Sequence, residues 1–371
     1  MVGGRTLRAE ALRLRLTGLI TENGSTEGLC AAICELLGRA IPFDYACLAT
    51  TDPSTGLITG VVKTDSGDSA DEEFARYEYG MNDDYLQFSD LVRRPVPVAV
   101  LQTETGGQPE RSRRFREFLR PRFSHGHEMR AAFRTGGRMW GAIGLYRSTG
   151  PGGFTQDEAD LVETICELVA IGLRSSLVIG TAGTALSITG PAAMVIDANN
   201  ELLSVTSAAQ QRIEELGGIH WGALPMSLTA MTAAARAHEL GSAVAPRSRI
   251  RTASGQWLVV HAAALTTANG RTGDVVITLE IAGAPEIVPL VVASFGLTNR
   301  EEDVASLVLQ GVDTAGISRS LYLSPYTVQD HLKSIFAKAG VGSRRELTAK
   351  VFFEQYAPRI GSARGPDGWF R

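Results

Sequence analysis

The sequence predicts a multidomain chain in which two α+β domains precede an all-α domain of four helices. Three observations predict it. Up to about residue 285, helical periods alternate twice with short strand-and-turn stretches. Beyond Phe295 only helical periods remain. Three helix starts carry a capping box, Thr155 with Glu158, Thr298 with Glu301 and Ser343 with Glu346. In each, hydroxyl and carboxylate can satisfy the backbone N–H groups that a helix start leaves free.

The length of 371 residues fits two or three domains, and 44% hydrophobic with 20% charged residues is ordinary globular composition. The most apolar stretch, Leu161 to Gly180, is interrupted by Glu163, Glu167 and Arg174, so no membrane span is expected. The start of the chain, LRAEALRLRLTGLI, alternates charge with leucine and lacks a signal core, so the expected location is the cytoplasm. Cys30, Cys34, Cys47 and Cys166 show neither metal-type spacing nor a disulfide framework and read as small buried hydrophobes.

The first domain is expected over 1–178. Residues 5–21 have apolar positions at helical period, and Ser25 to Ala40 gives a second helix burying Leu29, Ile33, Leu36 and Leu37. YACLAT and LITGVVKT read as strands around the turn DPSTG. An acidic stretch from Asp68 to Phe88 and a proline-broken one from Leu91 to Leu101 lead to PERSRRFREFLRPR, a basic helical patch. MRAAFRT, GGR and MWGAIGLYR form a hairpin, and Thr155 opens a long helix through Leu161, Ile165, Leu168, Gly172 and Leu177. The second domain, over 180–285, reads as two strands around DANN, two helices ended by glycine (SAAQQRIEELG and SLTAMTAAARAHELG), then alternating strands from 247 to 265 and 271 to 282. GAPEIVP, with two prolines, reads as a linker, and 357–371 as a disordered tail.

The last domain, 295–356, starts at Thr298 with Val304, Leu307 and Val308 on its core face, and Gly311 ends that helix. A short helix from about Ala315 to Tyr322 follows. Ser324 is a good N-cap, and Pro325 fits the first helical position, where a missing N–H costs nothing. The third helix buries Val328, Leu332, Ile335 and Ala339, and the fourth Leu347, Val351 and Phe352. Helix, short helix, tight turn and long helix describe a helix-turn-helix, whose second member would enter the DNA major groove N-terminus first. Tyr326, Thr327, Gln329, Asp330 and Lys333 are exposed there. The whole chain carries net −4, yet from 314 to 350 six cations face only Asp330 and Glu346. A small cationic module can bind nucleic acid on an acidic chain.

LTNREEDVASLVLQG and ISRSLYLSPYTVQDHLKSIFAKAGVGSRREL resemble the LuxR-type helix-turn-helix of bacterial transcription regulators. The resemblance implies that Thr327, His331, Lys338 and Arg344 meet phosphates and that Gln329, Asp330 and Lys333 face base edges. Two departures stand out. The family's Asn-Lys-Glu is here Thr314-Ala315-Gly316, expected to remove a polar network, and the family's Lys after Thr-Val is Gln329. Gln can pair with adenine and Asp330 can accept from cytosine N4.

WGAIGLYR followed by FTQDEADLVETICELVAIGL resembles a GAF domain, and MVIDANNELLSVTSAA with the Ser254-Gly255 hairpin resembles a PAS domain, although its usual Asn is replaced around Thr206-Ser207. Both imply sensing of a small-molecule or protein signal, with Glu128 and Trp140 as candidate pocket residues in the first. His125 and His127 make an incomplete metal set and read as a loop pair, while His220, His238 and His261 are weak haem ligands, so no cofactor or metal is expected. Nothing resembles a catalytic assembly. The expected function is a dimeric, signal-coupled regulator with double-stranded DNA and RNA polymerase as partners. The alternative is a signal-binding adaptor or small enzyme with a vestigial helix-turn-helix. Helices near 5–21 and 156–179, and the fourth C-terminal helix, are the candidate homodimer contacts.

Overall fold

The computed structural model describes residues 2–22, 24–65, 70–80, 84–150, 152–178, 190–219, 223–268 and 270–356. They fall into two compact units, one holding 2–178 with 190–253 and 258–280, the other 254–257 with 281–356. His220 and the tail 357–371 lie outside the described residues.

The first unit begins with helices α1 (Val2–Glu22) and α2 (Thr26–Ala40). Ser25 caps α2 by accepting from Gly28 N at 3.0 Å. Strands β1 (Tyr45–Thr51) and β2 (Ile58–Lys63) precede helices α3 (Asp71–Tyr79) and α4 (Phe88–Leu91), strand β3 (Val98–Val100) and helix α5 (Leu101–Glu104). The basic patch expected as one helix is divided. It makes a tight turn at Pro109–Arg111, a wide helical turn at Phe115–Leu119, and then helix α6 (Arg120–Phe123). Burial explains the division, because Ser112 and Arg114 are drawn inward to Asp84 while Phe115, Phe118 and Leu119 fill the core. Strands β4 (His125–Thr135) and β5 (Arg138–Ser148) form the expected hairpin, followed by α7 (Gln156–Val178). The five strands form an antiparallel sheet in the order β2-β1-β5-β4-β3. Leu173 of α7 abuts Gly141 on one face, where a Cβ would meet it at 2.5 Å. The α3–α6 segment packs Tyr77, Phe88, Leu101 and Phe118 against Ala142 and Tyr146 on the other. His125 and His127 lie on β4 itself, flanking a bulge, and not in a loop.

Strands β6 (Ala192–Ile196) and β7 (Leu202–Val205), helices α8 (Ser207–Glu215) and α9 (Met226–Glu239), and strands β8 (Arg247–Arg251), β9 (Trp257–Thr267) and β10 (Gly270–Ile281) complete the α+β part. Their sheet order, β7-β6-β10-β9-β8, repeats the connectivity of the first sheet. The two sheets share one body. Met226 and Ala230 of α9 pack with Ala49, Ile58 and Ala75, and Leu57 is buried within the second core. Asp52, at the end of β1, accepts from Arg249 Nε at 2.9 Å and Nη2 at 2.7 Å, with Asp52 almost wholly buried.

The second unit is all helix over 284–356 and has one helix more than expected. GAPEIVP is not a linker but opens α10 (Ala284–Ser294). Pro285 sits in the first turn, where its missing N–H is harmless, and Pro289 forfeits one bond while Ile287, Leu290 and Val291 are buried. Packing therefore overrides the proline signal. α11 (Asn299–Leu309), α12 (Thr314–Leu321), α13 (Pro325–Ala339) and α14 (Arg344–Tyr356) follow. Val304, Val308, Ile317, Val328, Leu332, Ile335, Leu347 and Val351 make one core with Ile287 and Val291. The expected box at Thr298 is complete: its N–H donates to Glu301 at 2.6 Å and its hydroxyl accepts from Glu301 N at 3.3 Å.

Candidate nucleic-acid interface

α12 ends at Tyr322, which adopts the left-handed conformation at φ 54° and returns its N–H to Ser318. Leu323 and Ser324 complete the turn. Ser324 accepts from Thr327 N at 3.0 Å, Pro325 occupies the first turn, and Gly340 ends α13 at φ 64°. With Val328, Leu332, Ile335 and Ala339 buried, the opposite stripe carries Tyr326, Gln329, Asp330 and Lys333 into solvent. These positions are spaced i, i+3, i+4 and i+7, so one helix face holds all four. Asp330 and Lys333 lie 3.7 Å apart, both exposed, so the acid is partly neutralised by its own neighbour.

The other residues expected at phosphates are distributed differently. Thr327 shares a 2.8 Å hydroxyl contact with Ser324 at the helix start, and His331 is half-buried one turn on. Lys338 reaches back to the buried Glu301 at 2.6 Å, which also accepts from Ser334 at 2.6 Å. Burial acts to raise the Glu301 carboxyl, but the bonds from Lys338, Ser334 and Thr298 outweigh it and hold it at about 2. Lys338 is thus a strut between α11 and α13. Arg344 donates to Val312 O at 2.8 Å and to Thr314 Oγ1 at 3.1 Å, and Gln329 Nε2 approaches the same hydroxyl at 3.5 Å. Thr314-Ala315-Gly316 therefore keeps a small polar network, contrary to the expected loss. Asp313, accepting from Gly316 N at 2.7 Å, caps α12. Beside it, Val308, Gly311, Arg344, Arg345, Thr348 and Ala349 line an open groove of about 410 Å³ between α11 and α14.

In the first domain, Glu128 and Trp140 are both fully buried but are not brought together. Glu128 pairs in register with Tyr146, six positions from Trp140 along β5, roughly 20 Å at strand rise. Around Glu128 lies a charge network that sequence reading missed. Arg114 meets Glu128 at 2.6 Å, Arg130 meets Glu78 at 2.8 Å, and Arg130 stacks 3.7 Å over the Phe88 ring. Glu78 comes from α3, Glu128 and Arg130 from β4, and Arg114 from just before the wide turn, and only the fold joins them. Among the buried polar atoms described, Glu128 Oε2, Arg130 Nε and Trp140 Nε1 make no hydrogen bond. His125 is stacked against Tyr146 at 4.8 Å and Phe123 at 5.4 Å, and burial lowers it to about 4, so it is neutral near pH 7. Among the described residues no helix is long and apolar enough to cross a membrane, and no group of three His, Cys, Asp or Glu side chains is placed to hold a metal.

Residues 296–351 match the family described as bacterial regulatory proteins, luxR family, and residues 25–173 match the GAF domain. The chain thus carries a GAF domain followed by a luxR-family helix-turn-helix domain. An HTH-type transcriptional regulator from the exeN 3′ region of Aeromonas salmonicida is 47% identical over 51 residues, covering 14% of this chain and 26% of the relative. An HTH-type transcriptional regulator of Mycobacterium bovis is 45% identical over 51 residues, covering 14% of this chain and 6% of the relative. The chain therefore spans about a quarter or less of the length of these relatives. Among solved structures, Escherichia coli SdiA aligns with 92% of this chain and 95% of its own at 11% identity and a TM-score of 0.32. A phage VqmA–DPO complex aligns with 45% of this chain and 82% of its own, at 21% identity and a TM-score of 0.24.

Proposed function

We propose that this chain is a sequence-specific DNA-binding transcription regulator, not an enzyme, in which α+β sensory domains couple a signal to dimeric DNA binding. One observation carries the reading: inside a luxR-family module, α13 presents Gln329, Asp330 and Lys333 on a single solvent-facing stripe while its other face is core. In this reading those three side chains face base edges, and Thr327, His331, Lys338 and Arg344 contact phosphate or support residues that do. Lys338 and Arg344 act partly through the struts they make to Glu301 and Thr314.

The domains would be 1–178, a PAS-like 180–285, and 295–356, the PAS-like assignment being supported by the repeated strand order. The signal would act on the Glu128 layer, where unpartnered polar atoms are buried, and the protein would work in the cytoplasm as a homodimer that contacts RNA polymerase. The test is a titration of the full chain against duplexes of randomised sequence followed by sequencing of the bound pool. Enrichment of a palindrome, with affinity falling as salt rises, is expected. Turnover of a small molecule without any duplex binding would overturn the reading.

A further inference from the structure

Among the described residues, two aromatic rings stand out as large exposed hydrophobics, and both belong to the corner between α12 and α13. Tyr322 is 96% exposed and Tyr326 is 77% exposed. Each is an expensive choice for water alone. Tyr322 also occupies φ 54°, ψ 42°, a conformation that glycine adopts freely, that asparagine tolerates through local hydrogen bonding, and that strains a tyrosine. A ring that is nearly fully exposed gains no packing within the chain to offset that strain. The left-handed backbone itself is explained, since it ends α12, but a tyrosine in place of the usual glycine, with its ring in solvent, points to a task for the side chain.

Tyr326 is the first member of the stripe that continues through Gln329, Asp330 and Lys333. It is the second residue of α13, and the N-terminal residues of such a helix lie deepest in the major groove. The bases offer one apolar group on their major-groove edges, the thymine C5 methyl. Tyr322 precedes the helix, where a phenol can donate to a phosphate oxygen flanking the groove. The segment from 314 to 350 carries six cations against two acids, which fits a polyanionic partner.

We propose that Tyr326 and Tyr322 are DNA-contacting residues at the leading end of α13, with Tyr326 selecting a thymine through its methyl group and Tyr322 anchoring the adjacent phosphate. The proposal rests on the DNA-binding reading and sharpens it, since a thymine beside the adenine suited to Gln329 makes the half-site rich in A·T pairs.

The experiment uses the full chain and the duplex selected from a randomised pool, with a sheared duplex of unrelated sequence as control. Replacing each thymine of the selected site in turn by uracil should weaken the wild type at one position per half-site by roughly fivefold or more. Tyr326→Ala should bind more weakly and lose that discrimination. Tyr322→Asn and Tyr322→Gly should keep or raise the melting temperature, because they relieve the left-handed strain, yet bind both duplexes more weakly. If both Tyr322 variants melt no lower and bind like the wild type, or if no thymine-to-uracil change matters, the proposal fails while DNA binding itself stands. If the wild type selects no duplex, the underlying DNA-binding reading fails instead.

Discussion

At the residue scale, the lysines of α13 divide into two kinds. Lys333 is exposed beside Asp330, whereas Lys338 is tied to the buried Glu301. Gln329→Ala and Lys333→Ala are expected to relax sequence preference, each costing about 1–3 kcal/mol at the selected site, as competition against mismatched duplexes would measure. Lys338→Ala should weaken all sequences alike and also lower the melting temperature, because it strands the Glu301 carboxylate. The Glu301 value of about 2 lies below its ordinary 4.5. Its contribution is therefore fully present above about pH 4.5 and is lost as pH falls toward 2. With Lys338 partly solvent-screened, that contribution is about 1–2 kcal/mol. Acid titration of Glu301→Gln should show this segment of the pH profile flattened, and an unchanged profile would show the carboxylate to be energetically silent.

At the element scale, α3 is the informative helix. Glu78 turns into the buried charge network with Arg130, while neighbouring Ala75 packs toward α9 and the Tyr79 hydroxyl accepts from Ile58 N at 3.0 Å. One short helix thus belongs to the interior of both α+β parts. The clamp between Asp52 and Arg249 joins the same parts at the rim of β1. Arg249→Ala should destabilise this unit by roughly 2–4 kcal/mol, since it removes the guanidinium from a buried carboxylate that keeps only its bonds from Ser54 and the Arg249 backbone N–H. The double change Asp52→Asn with Arg249→Met should recover most of that loss in a denaturant titration. Failure to recover it would mean that Arg249 acts mainly through packing. Gly172 of α7 is a second constraint, because a Cβ there would meet Ile20 of α1 at 2.7 Å. Gly172→Ala is expected to cost about 1–3 kcal/mol by pushing α1 off α7.

At the scale of the whole molecule, the chain's net charge of −4 conceals a cationic segment within the luxR-family domain. That arrangement predicts weak binding to unrelated duplex, because few cations are free to meet phosphates and displace their counterions. Exposed Leu7 and Leu14 lie seven residues apart on α1, a spacing that suits pairing with a second copy. Light scattering should therefore report a dimer, and Leu7→Ser with Leu14→Ser should shift it toward monomer. A wild-type monomer that saturates DNA would refute dimeric binding.

Local signals on the sequence determined most elements. Capping boxes at Thr155 and Thr298, the Ser324-Pro325 start and the core spacing of α13 act within a few residues, so they could be read without the fold. The stripe on α13 was legible for the same reason. What the tertiary structure alone decided depends on distant chain segments meeting. Pro289 lies inside a helix because α10 has a core to pack on, and Arg114, Arg130, Glu78 and Glu128 become one network only when α3 closes over β4. Lys338 becomes a strut because Glu301 lies opposite it. Burial and pairing are properties of neighbours in space, and a linear sequence carries no record of those beyond a few residues.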